Sequence, residues 1–236
     1  ILAFCHIEKA GGQTLTRILE QNLGIRHVRA KTFYASDNGT FGAKSMRTLL
    51  RVVPWLRAMS GHSLKPYSDV REAFPQVEYI GLLREPNKRF VSHYQYWCQA
   101  MGREISFDEF LANTDMHNFQ TRKIAGSADV PRAKALVDER FLLLGLLEEF
   151  DRFLMLLQRT APQHLRSVDY QVANQAPRNT VRQSVMENWG EYEEKVQAAN
   201  EADHELYAWT KQRFYERCRE MLTNQATATP TKGTPP

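Results

Sequence analysis

Three short apolar runs punctuate the chain, and each leads into an amphipathic segment. ILAFCHI at 1–7, VEYIGLL at 77–83 and FLLLGLL at 141–147 read as buried strands. The first is followed by Gly11 and Gly12 and then TLTRILEQNL, whose Leu15, Ile18, Leu19 and Leu23 share one helical face. The second ends at Arg84, Glu85 and Pro86 before NKRFVSHYQYWCQAM, a helix with Pro86 in its first turn, where a missing N–H costs nothing. The third leads into the helix EEFDRFLMLLQRT. Between them, residues 25–45 are polar and read as a loop. SMRTLLRVVPWLRAMSGH reads as a helix interrupted at Pro54, with a short segment ending at Gly61 and His62. Ser106 and Glu109 form a capping box before FDEFLAN, and Phe119–Ile124 reads as helical. A long helical pattern covers Glu187–Asn224, with Tyr207, Thr210, Phe214, Cys218 and Met221 in one stripe.

Strands alternating with helices predict an α/β domain built on a mainly parallel sheet flanked by helices. Residues 1–224 are expected to form one domain, and the Thr/Pro-rich 225–236 a disordered tail. In such sheets ligands bind beyond the carboxyl ends of the strands. Two of those ends carry residues suited to chemistry: Glu8–Thr14 after the first strand, and Arg84 onward after the second.

Composition narrows the function classes. The 236 residues are 42% hydrophobic and 25% charged, which excludes wholesale disorder and fibrous repeats. A net charge of +4 is mild. It suits an anionic ligand better than nucleic acid, which calls for a denser basic block. Cys5, Cys98 and Cys218 are odd in number, far apart and without a CxxC pair, so neither a zinc site nor a disulfide framework is expected. Three reduced thiols fit a cytoplasmic protein. No apolar run reaches the length of a membrane span; the chain starts at Ile1, so an upstream anchor is left open.

HIEKAGGQTL has the makings of a phosphate cradle. Two glycines let backbone approach an anion, and the helix that follows offers unpaired N–H groups and its positive dipole end. Lys9 adds charge, and Gln13 and Thr14 add side-chain donors; the GxxxxGK[ST] pattern is absent. In LREPNKRFVSHY, Arg84 can fork onto a phosphate and Ser92, two turns into the helix, can donate to it. A plain turn and a solvated basic helix face are the simpler alternatives.

Together the two segments resemble the sulfotransferases that use 3′-phosphoadenosine-5′-phosphosulfate (PAPS), most closely the carbohydrate branch of heparan and chondroitin type. There the segments read like HIPKTAGTSL or HIEKTGGTTL and LRDPVERLVSHYYY. Further matches are SGH at 60–62, NFQTRKIAG at 118–126, LLGLLEEFD at 143–151 and NEADHELY at 200–207, in the family's order over most of the chain.

The resemblance implies a P-loop-like fold and a set of roles. Lys9, Ala10, Gly11, Gly12, Gln13 and Thr14 would hold the 5′-phosphosulfate, with Lys9 on the bridging oxygen and acting in catalysis. Arg84 and Ser92 would hold the 3′-phosphate. His62 would be the base, and Glu8, Asn118, Gln120 and Arg122 would face the acceptor, with Thr121 beside them. The product would be adenosine 3′,5′-bisphosphate, and no metal is expected. Ala10 and Gln13 depart from the family, which more often has Thr, and Thr or Ser, there.

Sulfuryl transfer asks for these residue types. It is in-line, like phosphoryl transfer, so positioning and charge stabilisation dominate. A neutral His suits removal of the hydroxyl proton near pH 7. Glu8 is the rival base. His6 and His93 are expected to be structural, and Tyr94, Tyr96 and Trp97 core or interface residues. Two other classes fit part of the pattern. A kinase with a variant phosphate loop would need Mg²⁺ and an acidic ligand, for which Glu85 is the candidate. A non-catalytic binder of nucleotides or sulfated glycans would have little need of Lys9, Arg84 and His62 together.

Overall fold

The computed structural model describes residues 1–30, 39–170 and 180–227. The chain opens with β1 (Leu2–Cys5), α1 (Gly12–Leu23), β2 (His27–Arg29), α2 (Ala43–Val52), β3 (Ala58–Gly61) and α3 (Val70–Ala73). It continues through β4 (Glu78–Leu83), α4 (Pro86–Gln99), α5 (Phe107–Ala112), α6 (Phe119–Ala125), α7 (Val130–Arg140) and β5 (Phe141–Leu146). The last helices are α8 (Phe150–Thr160), α9 (Thr180–Glu187), α10 (Trp189–Ala199) and α11 (Glu201–Thr227).

Five strands form one sheet in the order β2-β3-β1-β4-β5, and every pairing is parallel. The α/β architecture expected from the sequence is therefore present. β1 is central, with Cys5 opposite Gly61 on one side and Gly81 on the other. All four of its residues are buried, as parallel strands covered on both faces require. Two apolar clusters hold the helices. The larger surrounds the sheet; the smaller packs Phe90, Val91 and Tyr94 of α4 against Phe107 and Phe110 of α5, Val185 of α9 and Val196 of α10.

Several elements differ from the sequence reading. β2 lies inside 25–45, where a three-residue HVR strand carries no periodicity to detect. β3, AMSG, lacks β-branched residues and forms because β1 and β2 pair with its two edges. The long pattern from Glu187 is two helices, α10 and α11, with Glu187 itself the last residue of α9. Asn188 and Asn200 each turn their side-chain amide onto the carbonyl four residues back, Ser184 at 3.0 Å and Val196 at 2.8 Å, where one helix gives way to the next. In the stripe, Thr210 and Phe214 are buried, while Tyr207, Cys218 and Met221 are partly so. α11 runs to Thr227, three residues into the expected tail; residues 228–236 lie outside the described ones. The Ser106–Glu109 capping box forms as predicted, and the three cysteines are free thiols. Among the described residues, no helix is long and apolar enough to cross a membrane.

Candidate active site

The carboxyl ends of three adjacent strands converge. Beyond β1 come Glu8 and Lys9, beyond β3 His62, and beyond β4 Arg84. Residues 8–11 form a turn, in which the Ala10 N–H donates to the Ile7 carbonyl at 3.3 Å. Lys9 and Gly11 both have positive φ, 67° and 75°. A non-glycine residue in that region is uncommon and marks a constrained turn.

α1 starts directly after this turn. Its N-cap, Gly11, offers no side-chain cap, and no acidic residue stands in the first turn. The helix therefore presents N–H groups and its positive end without a built-in anion. Gln13 is exposed beside them, Thr14 is buried, and Ala10 packs into the core. Gly12 is required by packing: a Cβ there would lie 1.8 Å from the His6 ring.

Arg84 joins the two motifs. Its guanidinium donates to the Lys9 carbonyl at 3.1 Å, across 75 residues of sequence. The Gln120 amide accepts from the Arg84 N–H and donates to the Arg84 carbonyl, both at 2.9 Å. Gln120 is held in turn by Asp203 of α11. This fully buried carboxylate accepts from the Gln120 N–H at 3.0 Å, the Thr121 N–H at 2.7 Å and the Thr121 hydroxyl at 2.8 Å. Burial, and secondarily the Arg84 charge, lower the Lys9 pKa. Its ammonium rests 4.5 Å from the centre of the exposed Tyr96 ring. An ammonium destabilised by desolvation and like charge is relieved when an anion arrives. Ser92 is partly buried on α4, one turn before Tyr96.

Opposite lies an imidazole–carboxylate cluster. His62 Nδ1 is 2.8 Å from the His6 carbonyl and 3.2 Å from Glu8 Oε1. Lys123 donates to the same Glu8 oxygen at 3.0 Å. The two rings His6 and His62 pack 4.1 Å apart. Burial first, and the His62 charge second, push the His6 pKa down to about 3, so His6 is a neutral wall. His93 is also structural: it is buried, its pKa is lowered to about 3 by burial, and its Nδ1 accepts from Arg89 at 3.1 Å.

The other expected site residues serve the framework. Asn118 accepts from the Ala202 N–H at 2.9 Å, and Arg122 donates to the Thr114 carbonyl at 3.0 Å while half-exposed. Glu85 caps α4 by accepting from the Asn87 and Lys88 N–H groups, so the carboxylate that a kinase reading would use is already engaged. Tyr94 is core as expected, but Tyr96 is exposed against Lys9. Sequence reasoning missed Lys123, Asp203 and this role of Tyr96. The first two lie inside the matched segments NFQTRKIAG and NEADHELY, and nothing local distinguishes them from surface charges.

A sequence model described as the sulfotransferase family matches residues 1–235. The chain belongs to the sulfotransferase family. A solved structure of a sulfotransferase from Alicyclobacillus acidocaldarius is similar at 15% identity and a TM-score of 0.47, covering 84% of this chain and 94% of that one. No curated protein matches the chain significantly. Membership makes this sulfotransferase a transferase enzyme, with sulfuryl transfer as its chemistry.

Buried histidines give this sulfotransferase a pH signature. Burial is the largest cause of the depressed pKa values of His6, His27 and His93, about 3, 4 and 3. Unfolded, each titrates near ~6.5. Below that pH the unfolded chain takes up protons that the folded chain refuses, so stability falls as pH drops from about 6.5 towards 4. The limiting slope is ~1.4 kcal/mol per pH unit per histidine. Thermal melts between pH 7.5 and 5 should show Tm falling steadily below 6.5. A flat or rising Tm would contradict the buried, neutral assignment.

Proposed function

We propose that this sulfotransferase moves the sulfuryl group of PAPS to a hydroxyl, on a carbohydrate acceptor, by in-line displacement with His62 as general base. The observation that carries this reading is the meeting of Lys9, Arg84 and His62 at the ends of three adjacent parallel strands. The residues fit the donor nucleotide. An uncapped helix start, a desolvated Lys9 and Arg84 form a donor set for two anionic groups, and the backbone turns tightly enough to approach one of them.

In this reading Lys9, Gly11, Gly12, Gln13 and Thr14 hold the 5′-phosphosulfate, and Arg84 and Ser92 hold the 3′-phosphate. When bound, PAPS supplies the sulfuryl group and a phosphate leaving group. Lys9 leaves the Tyr96 ring to balance charge on the bridging oxygen, where stabilisation is worth most. His62 stands on the acceptor side with Glu8 and Arg122. Asn118 and Gln120 act on the acceptor side indirectly, by fixing α6 and Arg84. The carbohydrate assignment rests on the likeness of the two nucleotide segments to the heparan and chondroitin branch.

Calorimetry with adenosine 3′,5′-bisphosphate tests the donor site, beside ATP–Mg²⁺ as the competing nucleotide. The bisphosphate should bind without metal and more tightly than ATP. Arg84→Ala should weaken it by about 1.5–3 kcal/mol, the range for a charged hydrogen-bond partner. Unchanged affinity in that variant would remove Arg84 from the site. Labelled PAPS offered to heparosan, chondroitin and simple sugars tests the acceptor class, and transfer to none of them would end the carbohydrate assignment.

A further inference from the structure

The Glu8 carboxylate is placed where it can serve either as a base or as the partner of one, and the geometry decides between these. Three groups meet at its Oε1 side: Lys123 Nζ at 3.0 Å, His62 Nδ1 at 3.2 Å, and through His62 the His6 carbonyl, 2.8 Å from that same Nδ1. The other oxygen, Oε2, is buried and has no hydrogen-bond partner among the described residues. A general base must reach the proton it removes. Of the two oxygens, one is engaged by an ammonium and an imidazole and the other is shut away from a bound acceptor.

His62 presents the opposite case. Its side chain is 50% exposed. A carbonyl can only accept, so the Nδ1 hydrogen bond to His6 requires the proton on that nitrogen, and the Glu8 carboxylate 3.2 Å away favours it there. Nε2 is then left with the lone pair. Lys123, only 10% exposed, donates to the Glu8 Oε1 at 3.0 Å and holds the carboxylate in place.

We propose that Glu8 is a positioning residue, which fixes the His62 tautomer jointly with the His6 carbonyl and balances the imidazolium that forms when Nε2 takes the acceptor proton, while Lys123 anchors Glu8. This rests on the reading of His62 as the base. The proton passes from the acceptor hydroxyl to Nε2 as the acceptor oxygen bonds to sulfur and the sulfur–oxygen bond to the leaving phosphate breaks; Glu8 keeps its charge throughout. The same division of labour operates in serine hydrolases, where the buried carboxylate orients the histidine and is never protonated. Because a backbone carbonyl already shares the tautomer-fixing task here, loss of Glu8 should cost less than it does there.

The test is a double-mutant cycle on transfer from PAPS to whichever of heparosan, chondroitin or a simple sugar is the best acceptor, with bisphosphate calorimetry as the folding control. Glu8→Gln should lower kcat by about 10- to 100-fold, the effect of removing a negative charge 3.2 Å from the imidazole, with acceptor KM and bisphosphate Kd within about twofold of wild type. In the His62→Ala background the same change should cost almost nothing, since Glu8 acts only through the imidazole. An equal loss in both backgrounds, or no loss in either, overturns the proposal. Independently of activity, long-range ¹H–¹⁵N spectra of the ligand-free protein should place the neutral His62 proton on Nδ1; a proton on Nε2 also overturns it. Failure of the parent reading looks different: His62→Ala would then keep most of the rate while Glu8→Gln abolishes it, making Glu8 itself the base.

Discussion

Replacing His62 with alanine should slow sulfuryl transfer by about 10²- to 10⁴-fold, the contribution of a positioned general base, and leave the nucleotide site intact. The separation of the two effects follows from where the residue sits. His62 lies just past β3, on the flank of β1 away from β4, whereas Arg84 lies past β4 on the other side. The nucleotide groups are gathered around Lys9, α1 and Arg84, and His62 bonds to none of them. Its hydrogen bond runs to the His6 carbonyl, and the Glu8 carboxylate lies 3.2 Å from the same nitrogen.

The surroundings also suit a ring that gains charge during turnover. The adjoining ring, His6, has its pKa pushed down to about 3 by burial and stays neutral at working pH, so the new imidazolium meets no second one. Glu8 offers a compensating charge on the far side. Two measurements decide the matter: steady-state kcat with saturating acceptor, and calorimetry with adenosine 3′,5′-bisphosphate. A rate within about threefold of wild type would take the base role from His62. A tenfold loss of bisphosphate affinity would show that the residue supports the nucleotide instead.

How much of this was legible in the chain depends on how local each signal is. β1, β4 and β5 are apolar runs, readable because both faces of a parallel strand are buried. β2 and β3 are not, because HVR and AMSG owe their conformation to neighbours 30 or more residues away in the chain. The glycine cradle and Arg84 were legible as motifs, since turn and strand end are both encoded within a few residues. Their mutual contact was legible only as an inference from topology. The network behind them was not. Asp203 reads as one more charge on a helix, and only the fold turns it onto Gln120 and, through Gln120, onto Arg84. Lys123 likewise meets Glu8 across 115 residues. Long-range polar partners leave no periodicity, so the sequence identifies the groups that meet ligand more readily than those that hold them.

Gly12→Ala should be strongly damaging for so small a substitution, and the reason is steric. Gly12 is the first residue of α1, where alanine would ordinarily favour the helix. Here its Cβ would fall 1.8 Å from His6 Cδ2 and 1.9 Å from His6 Nε2, far inside van der Waals contact. The His6 ring has little room to yield: Phe4 stacks on it at 5.4 Å and His62 packs at 4.1 Å, and the residue is buried. Either the ring or the start of α1 must move. Overpacking in a close-packed interior typically costs about 1–3 kcal/mol and sometimes more, and a clash this deep belongs at or above the top of that range. Displacing α1 opens the cradle at Lys9 and Gly11; displacing His6 shifts the carbonyl that holds His62. Both donor binding and turnover should therefore fall together, in contrast to His62→Ala, which separates them. The check is a pair of melts and titrations. Gly12→Ala should lower Tm by several degrees and weaken adenosine 3′,5′-bisphosphate by at least tenfold. Adding His6→Ala, which removes the ring, should return much of the bisphosphate affinity without restoring the rate, because the apolar wall against His62 is gone. If Gly12→Ala alone melts and binds like wild type, His6 does not lie beneath the cradle, and the packing that joins the nucleotide side to the base side is wrong.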